Sequence, residues 1–592
     1  MILFPQPRRL QLFDGTYCMP RQSAGDSLVA FFRALQAGTQ GVSLSCDSVL
    51  PQEAYRILID ASGVRISYSS EEGLFRAATS LRQMIVRFQG QLPHMHIEDA
   101  PELKKRGYMM DVNCGRIPKM ETLKSMIDFL ASLKYNEFQL YMEGGCFKYS
   151  AYPEETADID CLTPENIREL DAYCAERFID FVPNQNSFGH MRKWLQKPHF
   201  RHLGLFGSDN EVPNTLNPLL PESFDFMRNL YASLLPNYSS KYVNIGLDEA
   251  YGLGKYQIES HCKEKGNDVV FMEWLNKLSS HIEEAHGKSV MFWADMIYNY
   301  PESYHMVPKD AIALEWGYEL IQSQRMTAHC IDYQNAGVKY YVCPSVNTHG
   351  SFTSRMDVTT FNIRTCAELA AEYGAEGMLL TEWGEVGHPY SWIWCLTPAA
   401  LAGQYAWNTG AKQDGETFKA DFIRSAEDFV DEAFFAGAKV SRHMYRMANY
   451  YLLEPERVHV CTMCAKQLSL PISQTRYAHL FDLKDSGDDF YFDNVTAYVR
   501  RIMEDIEKIS LDERLKREIR LTAKLITLGS EVCKVKLHPK ESAGDVPALT
   551  ALIDEILPEY TELWQFRNFE TGIELFIDQL NKRKSELLAL TK

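Results

Sequence analysis

No run of apolar residues in this sequence reaches the roughly 18 that carry a helix across a bilayer. Positive charge is short: 61 Lys and Arg stand against 79 Asp and Glu, for a net charge of −18. Such a chain lacks the basic face of a duplex nucleic-acid binder and is not drawn to anionic membranes. The 14 cysteines are scattered, with no pair or quartet at zinc spacing. The one C-x-x-C, Cys461 and Cys464, has no second half at metal distance and reads as ordinary helix. The opening MILFPQPRRLQLFDG has no apolar stretch behind a positive start, so no secretory signal is expected there. Internal repeats and low-complexity linkers are also missing. These shortages predict a soluble cytoplasmic protein with reduced thiols. A 592-residue chain with 45% hydrophobic and 24% charged residues buries a core without disulfides or metals.

What is present falls into three zones. In residues 1–97, YRILID and GVRISYS read as strands joined by a turn at Ser62 and Gly63. EEGLFRAATSLRQMIVRF follows with apolar residues at helical spacing. This zone is a small α+β unit. In residues 98–409, short apolar runs alternate with amphipathic helical stretches. The runs are GYMMDV (107–112), EFQLYM (137–142), FIDFVPN (178–184), YVNIGLD (242–248), SVMFWAD (289–295), AIALEW (311–316), VKYYVC (338–343) and EGMLLTEW (376–383). Eight strands alternating with helices predict an α/β chain built on a parallel (β/α)8 TIM barrel. A doubly wound sheet is the alternative, but no Gly-rich phosphate loop follows the first strand. Residues 410–592 read as a C-terminal α-helical domain, compatible with a homodimer.

A barrel places its chemistry at the C-terminal ends of its strands, and polar and aromatic residues gather there. Strand one ends in Asp111 to Arg116, strand two at Glu143, strand three at Asn184 to His190, and strand four at Asp248 and Glu249. Strands five, six and eight end in Trp293, Trp316 and Trp383, with Asp295 and Glu385 two residues beyond a tryptophan. Aromatic faces stack on the C–H faces of a sugar ring, and a carboxylic acid protonates a glycosidic oxygen. Adjacent Asp248 and Glu249 do not suit a two-carboxylate mechanism, whose carboxyl groups stand about 5 Å or more apart across the bond. Neighbours on a strand face opposite sides, so they are expected to serve different atoms of one sugar. That suits substrate-assisted hydrolysis, in which the substrate's 2-acetamido oxygen attacks C1.

GLDEAYGLG resembles the signature of glycoside hydrolase family 20, the β-N-acetylhexosaminidases. RGYMMDV, SLKYNEFQLYMEGG, VPNQNSFGHM, MFWADM and TEWGEVGH resemble its successive barrel motifs, and YRILIDASGVRISYSSEEGLFRAATSLRQMI its N-terminal accessory domain. ELWQFRNFETGIE resembles the helical extension of a bacterial branch. The resemblance implies that Asp248 orients the acetamido group and Glu249 is the acid/base. It implies an aromatic box of Trp293, Trp316 and Trp383, and hydroxyl binding by Glu385. His190 and Glu143 match polar positions beside the acid/base, where they are expected to raise the pKa of Glu249. A tyrosine that holds the acetamido carbonyl is implied but not placed. No cofactor or metal is implied, and the partner is a glycoconjugate with a terminal N-acetylhexosamine.

Two departures stand out. The family's first strand reads Asp-x-x-Arg, and Cys114 occupies the arginine's place here, with Arg116 two residues on as a candidate substitute. His349 stands where related bacterial chains carry an aromatic residue. Both changes, with Asp295 beside them, bear on which terminal sugar is accepted. Arg106 and Asp111 are expected to form a buried ion pair, and Trp564 and Arg567 to pack rather than touch substrate. The rival readings are a sugar-binding protein on a hydrolase scaffold and a two-carboxylate glycosidase that needs no acetamido group.

Overall fold

The computed structural model describes residues 3–113, 115–208, 210–384, 387–410, 416–473, 488–538 and 544–590. Strands β1 (Arg9–Cys18), β2 (Val42–Cys46), β3 (Tyr55–Asp60), β4 (Gly63–Tyr68) and β5 (Gln91–Asp99) form one sheet in the order β1-β5-β3-β4-β2. Tyr55, Ile57 and Ile59 alternate inward on β3, against the helix Glu71–Arg87, whose first turn is capped by the Ser70 hydroxyl accepting from the Gly73 N–H. The β3–β4 turn falls at Ala61 and Ser62, one residue earlier than expected. Asp60 accepts the Ser62 N–H at 2.8 Å in a local turn, and Gly63 already pairs with Asp60 in the ladder.

Eight parallel strands follow: β6 (Lys105–Asp111), β7 (Glu137–Tyr141), β8 (Asp180–Val182), β9 (Tyr242–Asn244), β10 (Ser289–Trp293), β11 (Ile312–Trp316), β12 (Lys339–Cys343) and β13 (Gly377–Glu382). Their order is β8-β7-β6-β13-β12-β11-β10-β9. The Asn244 N–H donates to the Pro183 carbonyl at 2.8 Å and the Gln185 N–H to the Asn244 carbonyl at 2.9 Å, joining the two outer strands into a TIM-like barrel. β8 and β9 are shorter than their apolar runs. Phe178 enters β8 with φ 54°, and Gly246 and Leu247 leave β9 with φ 70° and 77°, conformations no strand contains. Inside the barrel, Met109, Val182, Met291, Leu314, Tyr341 and Leu379 form an apolar plug of their own, beneath Trp293, Trp316 and Trp383.

The expected Arg106–Asp111 pair does not form. The two residues stand at opposite ends of β6 and run to different partners. Arg106 donates to Glu53 of the N-terminal sheet region at 3.1 Å, and Arg76 of the helix Glu71–Arg87 reaches the same carboxylate at 2.8 Å. Asp111, at the other end of β6, accepts the N–H groups of Asn113 and Gly384 at 2.7 and 2.9 Å.

From Glu416 onward the described chain is helical, including Met463–Ser469, Glu513–Leu537, Val546–Arg567 and Ile573–Ala589. These helices dock on the loop after β6. The Phe569 N–H donates to the Ile117 carbonyl at 2.8 Å and the Lys119 N–H to the Arg567 carbonyl at 2.9 Å. Gly115 and Gly572 meet there so closely that a β-carbon on Gly572 would lie 2.0 Å from the Gly115 oxygen.

Candidate active site

A cleft of about 510 Å³ opens at the C-terminal ends of the barrel strands, within the size range of small-molecule sites. Trp293, Trp316 and Trp383 all line it. Trp293 and Trp383 lie 5.6 Å apart, and Tyr141 meets Trp383 edge-on at 4.7 Å. Tyr318 stacks on Trp316 at 5.2 Å, and its hydroxyl accepts the Trp383 indole N–H at 2.7 Å. The aromatic wall is therefore cross-braced, and the indoles keep their orientation without a ligand.

Asp248 and Glu249 lie beyond β9, in a loop whose backbone turns left-handed at Gly246, Leu247 and Glu249. That corrects the expectation that strand alternation sends them to opposite sides. Asp248 Oδ2 and Glu249 Oε2 both lie 3.3 Å from His190 Nε2, and Glu143 Oε1 lies 3.4 Å from its Nδ1. The two loops fit because of glycine. A β-carbon at Gly189 would meet the Asp248 carbonyl at 2.0 Å, and one at Gly246 the Asn186 side chain at 1.6 Å.

Charge follows from this geometry. Burial works against a charged imidazole, but Asp248 and the bonds to Asp248, Glu143 and Glu249 outweigh it and hold His190 well above its ordinary value. The His190 bond in turn holds the Glu249 carboxyl below its ordinary value, against burial. The expectation that these neighbours raise it is corrected: a protonated histidine stabilises the carboxylate. Burial, then the charge of Asp248, push Asp295 up to about 7, and burial pushes Asp111 to about 6. Asp248 Oδ1 and the Trp293 indole N–H are sealed from solvent with no hydrogen-bond partner in the protein.

The remaining predicted residues divide. Glu143, His190 and His349 line the cleft. Asp295 sits behind its wall, accepting the Glu249 N–H at 2.9 Å and the Trp316 indole N–H at 3.4 Å. Arg116 does not line it: its guanidinium is buried against Glu382 and stacks over Tyr390 at 4.7 Å. Cys114 and Glu385 lie outside the described residues. Trp564 is buried, its indole donating to the Phe569 carbonyl, and Arg567 pairs with Glu518 at 2.5 Å. Sequence reasoning missed Tyr141, Tyr318, Gln322, His459 and Val460, which also line the cleft. Tyr318 was signalled by its place two residues beyond Trp316, whereas nothing local signalled His459 or Val460.

Comparison with known proteins then gives the lineage. Residues 104–346 match the family model described as glycosyl hydrolase family 20, catalytic domain, and residues 29–100 match that for domain 2 of the same family. The chain belongs to glycoside hydrolase family 20. A β-hexosaminidase of Vibrio furnissii is 24% identical over 373 residues, covering 53% of this chain and 59% of that protein. A β-hexosaminidase of Akkermansia muciniphila is 27% identical over 230 residues, 34% of this chain and 46% of that one. The matches thus span about half the length of these relatives. Among solved structures, Flavobacterium johnsoniae chitobiase superposes with a TM-score of 0.60 at 16% identity, over 99% of both chains. A Vibrio harveyi family 20 exo-β-N-acetylglucosaminidase does so with 0.59 at 17%, over 72% of this chain and 77% of that one. These likenesses are ones of fold.

Two further features of this family 20 chain bear on its chemistry. Among the described residues no group of His, Cys, Asp and Glu is placed to hold a metal ion. Twelve of the described cysteines, Cys464 among them, are free thiols, and Cys461 and Cys464 are both buried.

Proposed function

We propose that the protein is an exo-acting β-N-acetylhexosaminidase that cleaves terminal N-acetylglucosamine or N-acetylgalactosamine with retention, through its substrate's own acetamido group. The carrying observation is Asp248. One of its oxygens lies 3.3 Å from His190 Nε2, and the other is buried and unpartnered at the foot of a tryptophan-lined cleft. A buried acceptor without a donor is costly, and an acetamido N–H is the donor this reading supplies. Asp248 then turns the acetamido oxygen towards C1 and stabilises the positive charge of the oxazolinium intermediate. The Trp293, Trp316 and Trp383 faces enclose the acetamido methyl and the sugar ring.

Glu249 protonates the departing oxygen and later takes a proton from water. In the free enzyme His190 favours its ionised form, so the acid is armed when a bound sugar excludes water from the half-exposed carboxyl and desolvation raises its pKa. Tyr318, with its hydroxyl fixed among Trp316 and Trp383, is the tyrosine we assign to the acetamido carbonyl. Twelve free thiols suit a reducing compartment, and we place the enzyme in the cytoplasm, acting on imported oligosaccharides.

One observation favours an altered sugar preference. The arginine that the family pattern puts at position 114 is a cysteine, and Arg116 turns away to Glu382, so no arginine is among the described residues lining the cleft. The test is hydrolysis of aryl β-glycosides of N-acetylglucosamine, N-acetylgalactosamine, 6-sulfated N-acetylglucosamine and glucose, with Asp248→Ala beside the wild type. Turnover of an N-acetyl sugar that collapses in the variant supports the assignment. Glucoside turnover indifferent to Asp248 overturns it.

A further inference from the structure

The segment Val458–Cys461 lies more than 200 residues beyond the catalytic pair, among the C-terminal helices, yet His459 and Val460 form part of the cleft wall. The segment is fastened from two sides. The Val460 N–H donates to Glu319 Oε1 at 3.0 Å, just beyond β11, and Arg355 holds the same oxygen at 2.7 Å from the loop after β12. The Thr462 N–H donates to the Gly350 carbonyl at 2.9 Å, and Gly350 is packed so tightly that a β-carbon there would meet Cys461 at 2.5 Å. Val460 turns left-handed at φ 54°, which a β-branched residue adopts only under constraint.

We infer that His459 and Val460 form the binding site for the leaving-group sugar. This rests on the exo-hexosaminidase reading above. In that reading the terminal sugar fills the closed end of the cleft, over the buried Trp293 and Tyr318. The bond to be cut lies at Glu249, the half-exposed carboxyl of the pair. Whatever extends beyond Glu249 towards solvent is the leaving group. His459 is exposed while still lining the same cleft as Glu249, and its imidazole offers a donor and an acceptor to sugar hydroxyls. Val460 supplies an apolar edge. The C-terminal helical region is thereby a part of the substrate site.

The experiment compares wild type, His459→Ala, His459→Asn and Glu319→Gln by two readouts. One is kcat/KM on a β-linked N-acetylglucosamine disaccharide, which fills both sites. The other is the inhibition constant of an N-acetylglucosamine thiazoline, which fills only the terminal-sugar site. His459→Ala is expected to lose about tenfold in kcat/KM, the worth of one hydrogen bond, with thiazoline inhibition held within about twofold. His459→Asn recovers part of the loss, and Glu319→Gln, which loosens the segment, behaves like the alanine variant. Equal losses in both readouts, or no loss on the disaccharide, overturn the assignment while leaving the hexosaminidase reading in place. A wild type that neither cleaves the disaccharide nor binds the thiazoline overturns both.

Discussion

His190 is the residue on which the site's charge turns. It lies 3.3–3.4 Å from Glu143, Asp248 and Glu249, and its hydrogen bonding, followed by that of Tyr251 and by its own positive charge, holds Glu249 below its ordinary pKa against burial. In the proposed mechanism Glu249 is the general acid and must be protonated, so kcat/KM is expected to fall as pH rises through its pKa in the free enzyme. Removing the imidazolium lets that pKa rise. His190→Asn is therefore expected to move the basic limb of the pH–kcat/KM profile to higher pH while lowering its maximum. A limb that stays in place or moves down contradicts this role. Glu249→Gln is expected to slow disaccharides far more than activated aryl glycosides, because only poor leaving groups need the proton. Equal losses on both would remove Glu249 as the acid.

The sequence showed which residues meet at this site, but not how they meet. Asp248, Glu249, His190, Glu143 and the three tryptophans were legible as strand-end residues. The direction of the Glu249 shift was not, because it depends on His190 sitting within bonding distance of both carboxylates, which comes from left-handed loop residues and not from strand alternation. Arg116 was a fair substitute by spacing alone. Glu382, which captures it, ends a strand on another side of the ring and shows no local relation to it.

Elements matter through two glycine contacts. The loop after β8 and the loop after β9 approach so closely that Gly189 touches the Asp248 carbonyl. Gly189→Ala must push Asp248 off its position, and displacements of about 1 Å at a reacting group cost on the order of 100-fold in rate. The expected outcome is a loss of that order in kcat with the circular dichroism spectrum retained. Near wild-type turnover would show that the contact does not set the catalytic geometry. Seven of the eight barrel strands lay within runs visible in the sequence, because buried parallel strands are nearly continuous in apolar residues, and β6 begins two residues before its run, at Lys105. Their ends were less visible: the apolar pattern runs on through Ile245 and Leu247, although left-handed Gly246 and Leu247 have already ended β9.

At the scale of the whole molecule, the N-terminal sheet region is tied to the barrel's lower end by the buried cluster of Glu53, Arg76 and Arg106. Burial resists the charge on Glu53, but the two arginines prevail and hold its pKa down to about 2 from 4.5. A depressed carboxylate stabilises the fold above its unfolded pKa, and that contribution is lost as pH falls from about 4.5 towards 2. Glu53→Gln leaves two buried guanidinium groups short of their anion and is expected to cost about 3–5 kcal/mol by chemical denaturation at neutral pH. The variant should also show less dependence of stability on pH across that window. A variant as stable as wild type would make the cluster incidental. Such long-range ties escaped the sequence. Glu53 and Arg106 are 53 residues apart and carry no motif, and the same holds for the fastening of Val460 to Glu319, 141 residues away.

The central claim is that the substrate's acetamido oxygen is the nucleophile and Asp248 its guide. The most direct measurement is kcat/KM for aryl β-glucosaminides whose N-acetyl group carries none, one, two or three fluorines. Fluorine drains electron density from the attacking oxygen without changing the bond that breaks. The account predicts a steep, progressive fall along the series in the wild type. Rates that stay level along it, or a plain glucoside cleaved as well as the N-acetyl sugar, would contradict it.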